Sequence, residues 1–210
     1  KNMDGINNLI IDFGGVLISL ARSRCVDAFE RIGISSTREP ITTGFKPKDL
    51  FTLFEHGLIS PAAFRLGLRK LGERKVSSSE TSDSQIDDAW NKMLGEMPDD
   101  MPQFLMDLRK RYNTMLLSNT NILHWEWAKK NYFENKGYSI DNCFNQIYLS
   151  FELRMCKPDT EIYKYVIQHA GIRPEETLLI DDSPINCRTA EKLGIKTFTA
   201  QSRDDWRQIL

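Results

Sequence analysis

The chain has 210 residues, of which 40% are apolar and 27% charged, enough for one large domain or a core with a smaller appended unit. A formal net charge of −1 supplies no global field for nucleic acid, no apolar run approaches the roughly 18 residues of a membrane span, and the first residues lack the pattern of a secretory leader. Cys25, Cys143, Cys156 and Cys187 are scattered without a CxxC pair, which predicts free thiols in a cytoplasmic protein rather than a disulfide frame or a zinc site.

Residues 9–17 read LIIDFGGVL. A short apolar run ended by Asp12 and two glycines predicts a buried strand feeding a sharp turn. Ligands of open α/β sheets bind at the carboxyl ends of strands, so Asp12 stands where chemistry would stand. Gly14 and Gly15 let the backbone come close to a ligand. From Leu17 to about Leu94 no strand pattern is visible. Apolar spacing predicts one helix over 25–32, stopped by Gly33, and a second over 47–55 with Leu50, Phe51 and Phe54 on one face. Gly57 suits a position just past a helix end, Ser60 an N-cap and Pro61 the first helical position. The next helix carries Phe64, Leu68 and Leu71. The Ser/Thr-rich stretch 77–84 predicts a mobile loop, or the approach to a helix holding Ile86, Trp90 and Leu94. The whole is a helical insert of about four helices.

Residues 98–102, PDDMP, form a return linker, and a helix with Phe104, Leu105 and Leu108 follows. Its end, Arg109-Lys110-Arg111, suits the negative end of a helix dipole better than a nucleic-acid patch. A strand over 114–117 ends at Ser118-Asn119, and a helix is predicted over 122–133. A third strand spans 146–150. Lys157-Pro158 opens a helix that runs to Gly171. A strand over 177–180 ends at Asp181-Asp182, a helix carries Ala190 and Leu193, and a last strand covers 196–199. Strands alternating with helices predict an α/β fold, a Rossmann-like parallel sheet with helices on both faces and the helical insert after the first strand.

Three strand ends thus carry polar groups: Asp12, Ser118-Asn119 and Asp181-Asp182. If the strands are neighbours, these ends share one crevice. Facing carboxylates repel unless a cation lies between them, and hard oxygen ligands suit Mg²⁺. Ser118 with its turn, and Lys157 at a helix start, suit a phosphate. The set reads as phosphoryl transfer with Asp12 as nucleophile.

In this order the four motifs resemble those of the haloacid dehalogenase (HAD) superfamily of hydrolases, with Asn186 completing a DDxxxN pattern. Within that family the likeness is nearest to bacterial α-D-glucose-1-phosphate phosphatases, through DFGGV, LSNTN, IYLS, KP and IDDS. The resemblance implies a HAD core over 1–16 and 97–210 and a C1 cap over 17–96. It implies that Asp12 and Lys157 act in catalysis, and that Ser118, Asn119 and Lys157 bind the phosphoryl group. It also implies a Mg²⁺ ion held by Asp12, the Gly14 carbonyl, Asp181 and Asp182, with Asp182 the main second carboxylate. The expected substrate is a small phosphorylated metabolite, sugar 1-phosphates first, with no nucleic-acid or membrane partner, for a monomer or weak homodimer.

One position departs from the family pattern. Most family phosphatases carry a second Asp two residues after the nucleophile, as acid and base; here that position is Gly14. An anomeric leaving group needs little protonation, a residue such as Glu55 or His56 could supply the proton, or the chemistry could be lost. Two other functions compete with the phosphatase. A metal-free 2-haloacid dehalogenase would gain nothing from Asp181-Asp182, and a non-catalytic binding protein would have no need of Asp12 and Lys157. His124 and His169 read as surface or helix positions. Trp125 and Trp127 cannot both face one side of a helix.

Overall fold

The computed structural model describes residues 3–72 and 81–210. Five strands, β1 (Asn8–Ile11), β2 (Asn113–Ser118), β3 (Gln146–Leu149), β4 (Thr177–Asp181) and β5 (Lys196–Thr199), form one sheet. Their order is β3-β2-β1-β4-β5 and every pairing is parallel. The predicted α/β class and all five strands hold, each within a residue of its expected bounds. Every residue of β1 and β4 is buried, as expected where helices cover both faces of a sheet.

The two-residue period of the strands sorts their side chains. Leu9, Ile11, Leu116, Leu178 and Ile180 face one side, packing with Met101, Leu105, Phe133 and Trp206. Ile10, Met115, Leu117 and Leu179 face the other, against Ile162, Tyr163, Val166 and Ala190. The first side is covered by α6 (Met101–Arg109) and the second by α9 (Thr160–Ala170) and α10 (Pro184–Glu191).

Between β1 and α6 lie five helices among the described residues, one more than expected: α1 (Arg22–Arg31), α2 (Arg38–Thr43), α3 (Leu50–Glu55), α4 (Pro61–Lys70) and α5 (Asp83–Asn91). The six-residue α2 buries only Ile41 and so leaves no apolar period in the sequence. The second helix starts at Leu50, not 47, because the Asp49 carboxylate accepts the Thr52 amide and fixes the first turn there. Ser60 caps α4 with Pro61 at its first position, as expected. Ser82 and Gln85 form a reciprocal capping box on α5. Half of the Ser/Thr-rich stretch 77–84 lies outside the described residues, and its second half leads into α5.

These helices have a core of their own. Phe54 and Phe64 stack at 4.1 Å between ring centroids, and Trp90 lies 5.2 Å from Phe64 and 5.6 Å from Phe51. The two connections to the sheet run side by side. Ser19 N donates to Glu96 O, Gly95 N to Ser19 O and Ala21 N to Met93 O. At Gly95 a β-carbon would lie 2.2 Å from Ser19 Oγ, so the close pairing requires glycine. Leu20 and Leu94 bridge across the same pair of segments.

Two further elements differ from expectation. The helix expected over 122–133 is α7 (Ile122–Ala128), which then widens into a π-helical turn at Lys129–Phe133. Ser150, expected as a strand residue, instead begins α8 (Ser150–Leu153). All four cysteines are free and buried, and among the described residues no helix is long and apolar enough to cross a membrane.

Phe64 is fully buried at the centre of the aromatic cluster. Phe64→Ala is expected to cost about 3–5 kcal/mol, through lost transfer energy and the cavity left behind. Urea unfolding of the two proteins measures it.

Candidate active site

The strand order decides the site. β1 lies between β2 and β4, so the chain ends leaving these three strands open into one crevice. Asp12 follows β1, Ser118 ends β2 and Asp181 ends β4. A carboxylate oxygen from each of Asp12, Asp181 and Asp182 lies within 4.8 Å of the others. The sequence expectation that these strand ends converge is met.

Lys157 joins them. Its ammonium, 1% exposed, lies 2.9 Å from Asp12 Oδ1 and 2.7 Å from Asp181 Oδ2, and donates to Leu117 O at 2.9 Å. One buried cation thus faces two carboxylates and a strand-end carbonyl. Its backbone is fixed by Asn119. The Asn119 side chain accepts the Lys157 amide at 2.9 Å and donates to the Lys157 carbonyl at 2.8 Å. The side chain of Asn119, a residue expected to bind the phosphoryl group, here holds the Lys157 backbone.

Asp181 is saturated with donors. Oδ1 accepts Ser183 N and Asn186 Nδ2, and Oδ2 accepts Lys157 and Asn186. This gives Asn186 of the DDxxxN pattern a definite task, the fixing of Asp181. Asp182 lies further out, exposed, with its carboxyl pushed up by burial of the group and by the Asp181 charge. Its place depends on Gly15, at φ +81, where a β-carbon would lie 2.1 Å from Asp182 Oδ2. No other residue type fits there without moving Asp182.

Burial raises the Asp12 carboxyl to about 7; the Lys157 charge opposes this, while Asp181 and Asp182 add to it. Two carboxylates and a half-exposed third, one of them already hard to ionise, form a site short of positive charge. Hard oxygen donors crowded within 4.8 Å are the donor set of a Mg²⁺-type cation, and their mutual repulsion is what such a cation relieves.

A cavity of about 210 Å³ opens from this cluster toward the helical insert. Asp12, Gly14, Ser118, Lys157 and Asp182 line its floor, and Arg22, Phe45, Glu55, Trp90 and Met93 its roof. The turn at Glu55-His56-Gly57, open to either reading from sequence, faces this cavity through Glu55. Ser118 lines the cavity and is buried; the helix cap considered for it falls to Asn121, whose side chain accepts the His124 amide.

His124, read as a surface or helix position, takes the helix alternative, on α7. It is buried, stacked on Trp90 at 4.3 Å, with Nε2 3.0 Å from the Trp90 carbonyl, and desolvation lowers it to about 4. Asn121 Oδ1 also accepts the Trp90 indole N–H. Sequence reading missed Arg22, Phe45 and Trp90 as cavity residues. Arg22 and Trp90 sit on ordinary helices and Phe45 in the loop after α2, and only the closure of the insert over the sheet brings them to the site. Trp125 is buried and Trp127 partly so, and both pack on the same core cluster, so the expectation that they cannot share one side is not met.

The haloacid dehalogenase-like hydrolase family model matches residues 6–194. The D-ribitol-5-phosphate phosphatase of Bacteroides thetaiotaomicron is 32% identical over 205 residues, covering 98% of this chain and 97% of that protein. A HAD family enzyme of Bacteroides thetaiotaomicron, solved with magnesium and inorganic phosphate, is 43% identical with a TM-score of 0.89 and covers 98% of this chain and 99% of its own. A HAD-like family hydrolase of Porphyromonas gingivalis is 34% identical with a TM-score of 0.83, covering 96% of this chain and 94% of its own.

Replacing Lys157 by Met leaves two buried carboxylates facing each other. The expected cost is about 3–5 kcal/mol at pH 8. Folded Asp12 binds more protons than unfolded Asp12 between the ordinary value of 3.8 and about 7, so its contribution turns against the fold as pH rises through that window. Without Lys157 the window extends further upward. The loss should therefore shrink at pH 5, where the uncompensated carboxyls take protons, and urea unfolding at the two pH values checks the sign.

Proposed function

Because the chain belongs to the haloacid dehalogenase-like hydrolases, we propose that it is a Mg²⁺-dependent phosphatase of small phosphorylated sugars and polyols, working through an aspartyl-phosphate on Asp12. The observation that carries this reading is the single buried ammonium of Lys157 between Asp12 and Asp181, at the floor of a cavity roofed by the insert.

The residues fit the metal. Asp12, Asp182 and the Gly14 carbonyl would hold Mg²⁺, with Asp181 close behind them, fixed by Asn186 and Lys157. When bound, the ion supplies positive charge to the phosphoryl oxygens and to the crowded carboxylates. The remaining work belongs to the chain. Lys157 favours the ionised form of Asp12 and draws the phosphoryl group toward it. Asp12 attacks phosphorus, the bond to the leaving oxygen breaks, and water later releases phosphate from Asp12. Ser118 donates to a phosphoryl oxygen as charge spreads over it. The insert acts as a cap that encloses the substrate and keeps bulk water from the reacting groups.

The substrate class follows from two supports. One is the relative named as a D-ribitol-5-phosphate phosphatase. The other is the cavity, whose roof combines the polar ends of Arg22 and Glu55 with apolar Phe45, Trp90 and Met93, a lining suited to a short polyhydroxylated chain. A second reading, preference for sugar 1-phosphates, is favoured by Gly14, since an anomeric oxygen leaves with little protonation.

Phosphate release from ribitol 5-phosphate, glucose 1-phosphate, glucose 6-phosphate and nucleoside monophosphates, each with Mg²⁺ and with EDTA, tests the reaction and ranks the substrates. Activity is expected with Mg²⁺ and should vanish with EDTA. Asp12→Asn should reduce turnover to background while leaving the circular-dichroism spectrum unchanged. A variant that keeps most of its activity would remove Asp12 from the role of nucleophile.

A further inference from the structure

The proton for the leaving oxygen has no source beside the nucleophile. A β-carbon at Gly14 would lie 3.2 Å from both terminal methyls of Leu20, so that wall of the cavity is closed by an apolar side chain. The other candidates around the cavity are already committed. Lys157 is shared among Asp12, Asp181 and the Leu117 carbonyl. His124 is neutral at working pH, with its Nε2 on the Trp90 carbonyl. The Arg22 guanidinium offers donors and no acceptor, and Asp182 is a metal ligand in the reading above. Glu55 remains.

We propose that the Glu55 side chain is the acid–base group of this site, reaching the departing oxygen from the insert. This deepens the phosphatase reading above and rests on it. The carboxyl is half-buried and lines the same cavity as Asp12 and Lys157. No hydrogen bond to another described residue holds its oxygens.

Its backbone, by contrast, is pinned to the core. Ser150 Oγ donates to the Glu55 carbonyl at 2.8 Å and accepts the Thr120 amide at 2.9 Å, tying the turn to the segment that follows Ser118. Gly57, at φ +64, lies so close to α8 that a β-carbon would meet Phe151 O at 2.0 Å. His56 Nδ1 is 3.4 Å from Cys156 Sγ, next to Lys157. A fixed backbone carrying an unengaged carboxyl is the arrangement a proton carrier needs.

The electrostatics agree. Burial raises the Glu55 carboxyl to about 7, the Asp49 charge on the same helix adds to the rise, and Lys157 across the cavity opposes it. Cys156 is also close, its thiol raised partly by the Glu55 charge, while Arg22, Asp12 and Asp182 share the cavity. A carboxyl balanced near neutrality serves in both directions.

In the first half-reaction an Asp12 oxygen bonds to phosphorus, the bond from phosphorus to the leaving oxygen breaks, and that oxygen keeps the electron pair and takes the Glu55 proton. In the second, the Glu55 carboxylate takes a proton from water as its oxygen bonds to phosphorus. The bond to Asp12 then breaks, and Asp12 and Glu55 return to their starting states with inorganic phosphate released.

The test compares wild type, Glu55→Gln and Glu55→Asp on ribitol 5-phosphate and on p-nitrophenyl phosphate, whose leaving group departs as a stable anion. With Glu55→Gln, kcat on ribitol 5-phosphate should fall by about 10²–10⁴-fold, and Glu55→Asp should recover part of it. With p-nitrophenyl phosphate, Glu55→Gln should release one nitrophenolate per site in a rapid burst and then turn over slowly, because only the second half-reaction still needs the base. Unchanged steady turnover of p-nitrophenyl phosphate, with a loss confined to KM for ribitol 5-phosphate, would overturn the proposal and leave Glu55 a substrate-hydroxyl contact. If the wild-type protein released no nitrophenolate and no phosphate, the phosphatase reading itself would fail, an outcome distinct from either.

Discussion

The site depends on one ammonium taken out of water. Lys157 faces Asp12 and Asp181, and without it two carboxylates at adjacent strand ends could not share a buried crevice. Around it the structure places donors in order. Asn119 holds the lysine backbone, Asn186 and the Ser183 amide hold Asp181, and Leu117 accepts the third proton of the ammonium. Each of these groups sits at the carboxyl end of a strand or in the first residues beyond it. The parallel sheet brings them together because its first strand is central and the chain leaves it in both directions.

The insert is joined to this crevice by contacts of a different kind. Its own core is an aromatic cluster, and Trp90 carries that cluster to the sheet domain through the Asn121 side chain and the His124 ring. On the opposite edge, Ser150 links the Glu55 carbonyl to the Thr120 amide. Both bridges land on the segments that follow β2 and β3, a few residues from Ser118. The position of the roof is therefore set by the same strand ends that set the floor, and the cavity between them has a defined shape rather than one left to a loose linker.

What the sequence made legible follows the same division. Buried parallel strands are short, apolar and ended by polar residues, so all five could be read, and with them Asp12, Ser118, Asp181 and Asp182. Lys157 rose above a solvated helix-start lysine only through motif order, and the task of Asn119, holding the Lys157 backbone, depends on a contact across 38 residues that no local pattern encodes. The insert was legible as helices but not as a roof. Arg22, Phe45 and Trp90 occupy ordinary helical or loop positions, and which of their faces meets the cavity is decided by tertiary packing. For His124 the sequence left surface and helix open, because only its partner, Trp90, decides that this helical residue is buried.

Gly14 ties these threads together. A glycine at this point lines the cavity beside the carboxylate cluster and admits Leu20 from the segment that leads into the insert. In the proposed reaction the floor of the cavity supplies the nucleophile, a cation and the metal ligands, but not the capacity to exchange a proton with the leaving group. That capacity lies in the roof, on a turn clamped to the core at Ser150 and Phe151. In such an arrangement the floor binds and activates the phosphoryl group, while the roof both contacts the rest of the substrate and handles its proton. Chemistry and recognition then depend on one closed geometry, so a substrate that fits the roof poorly loses rate as well as affinity.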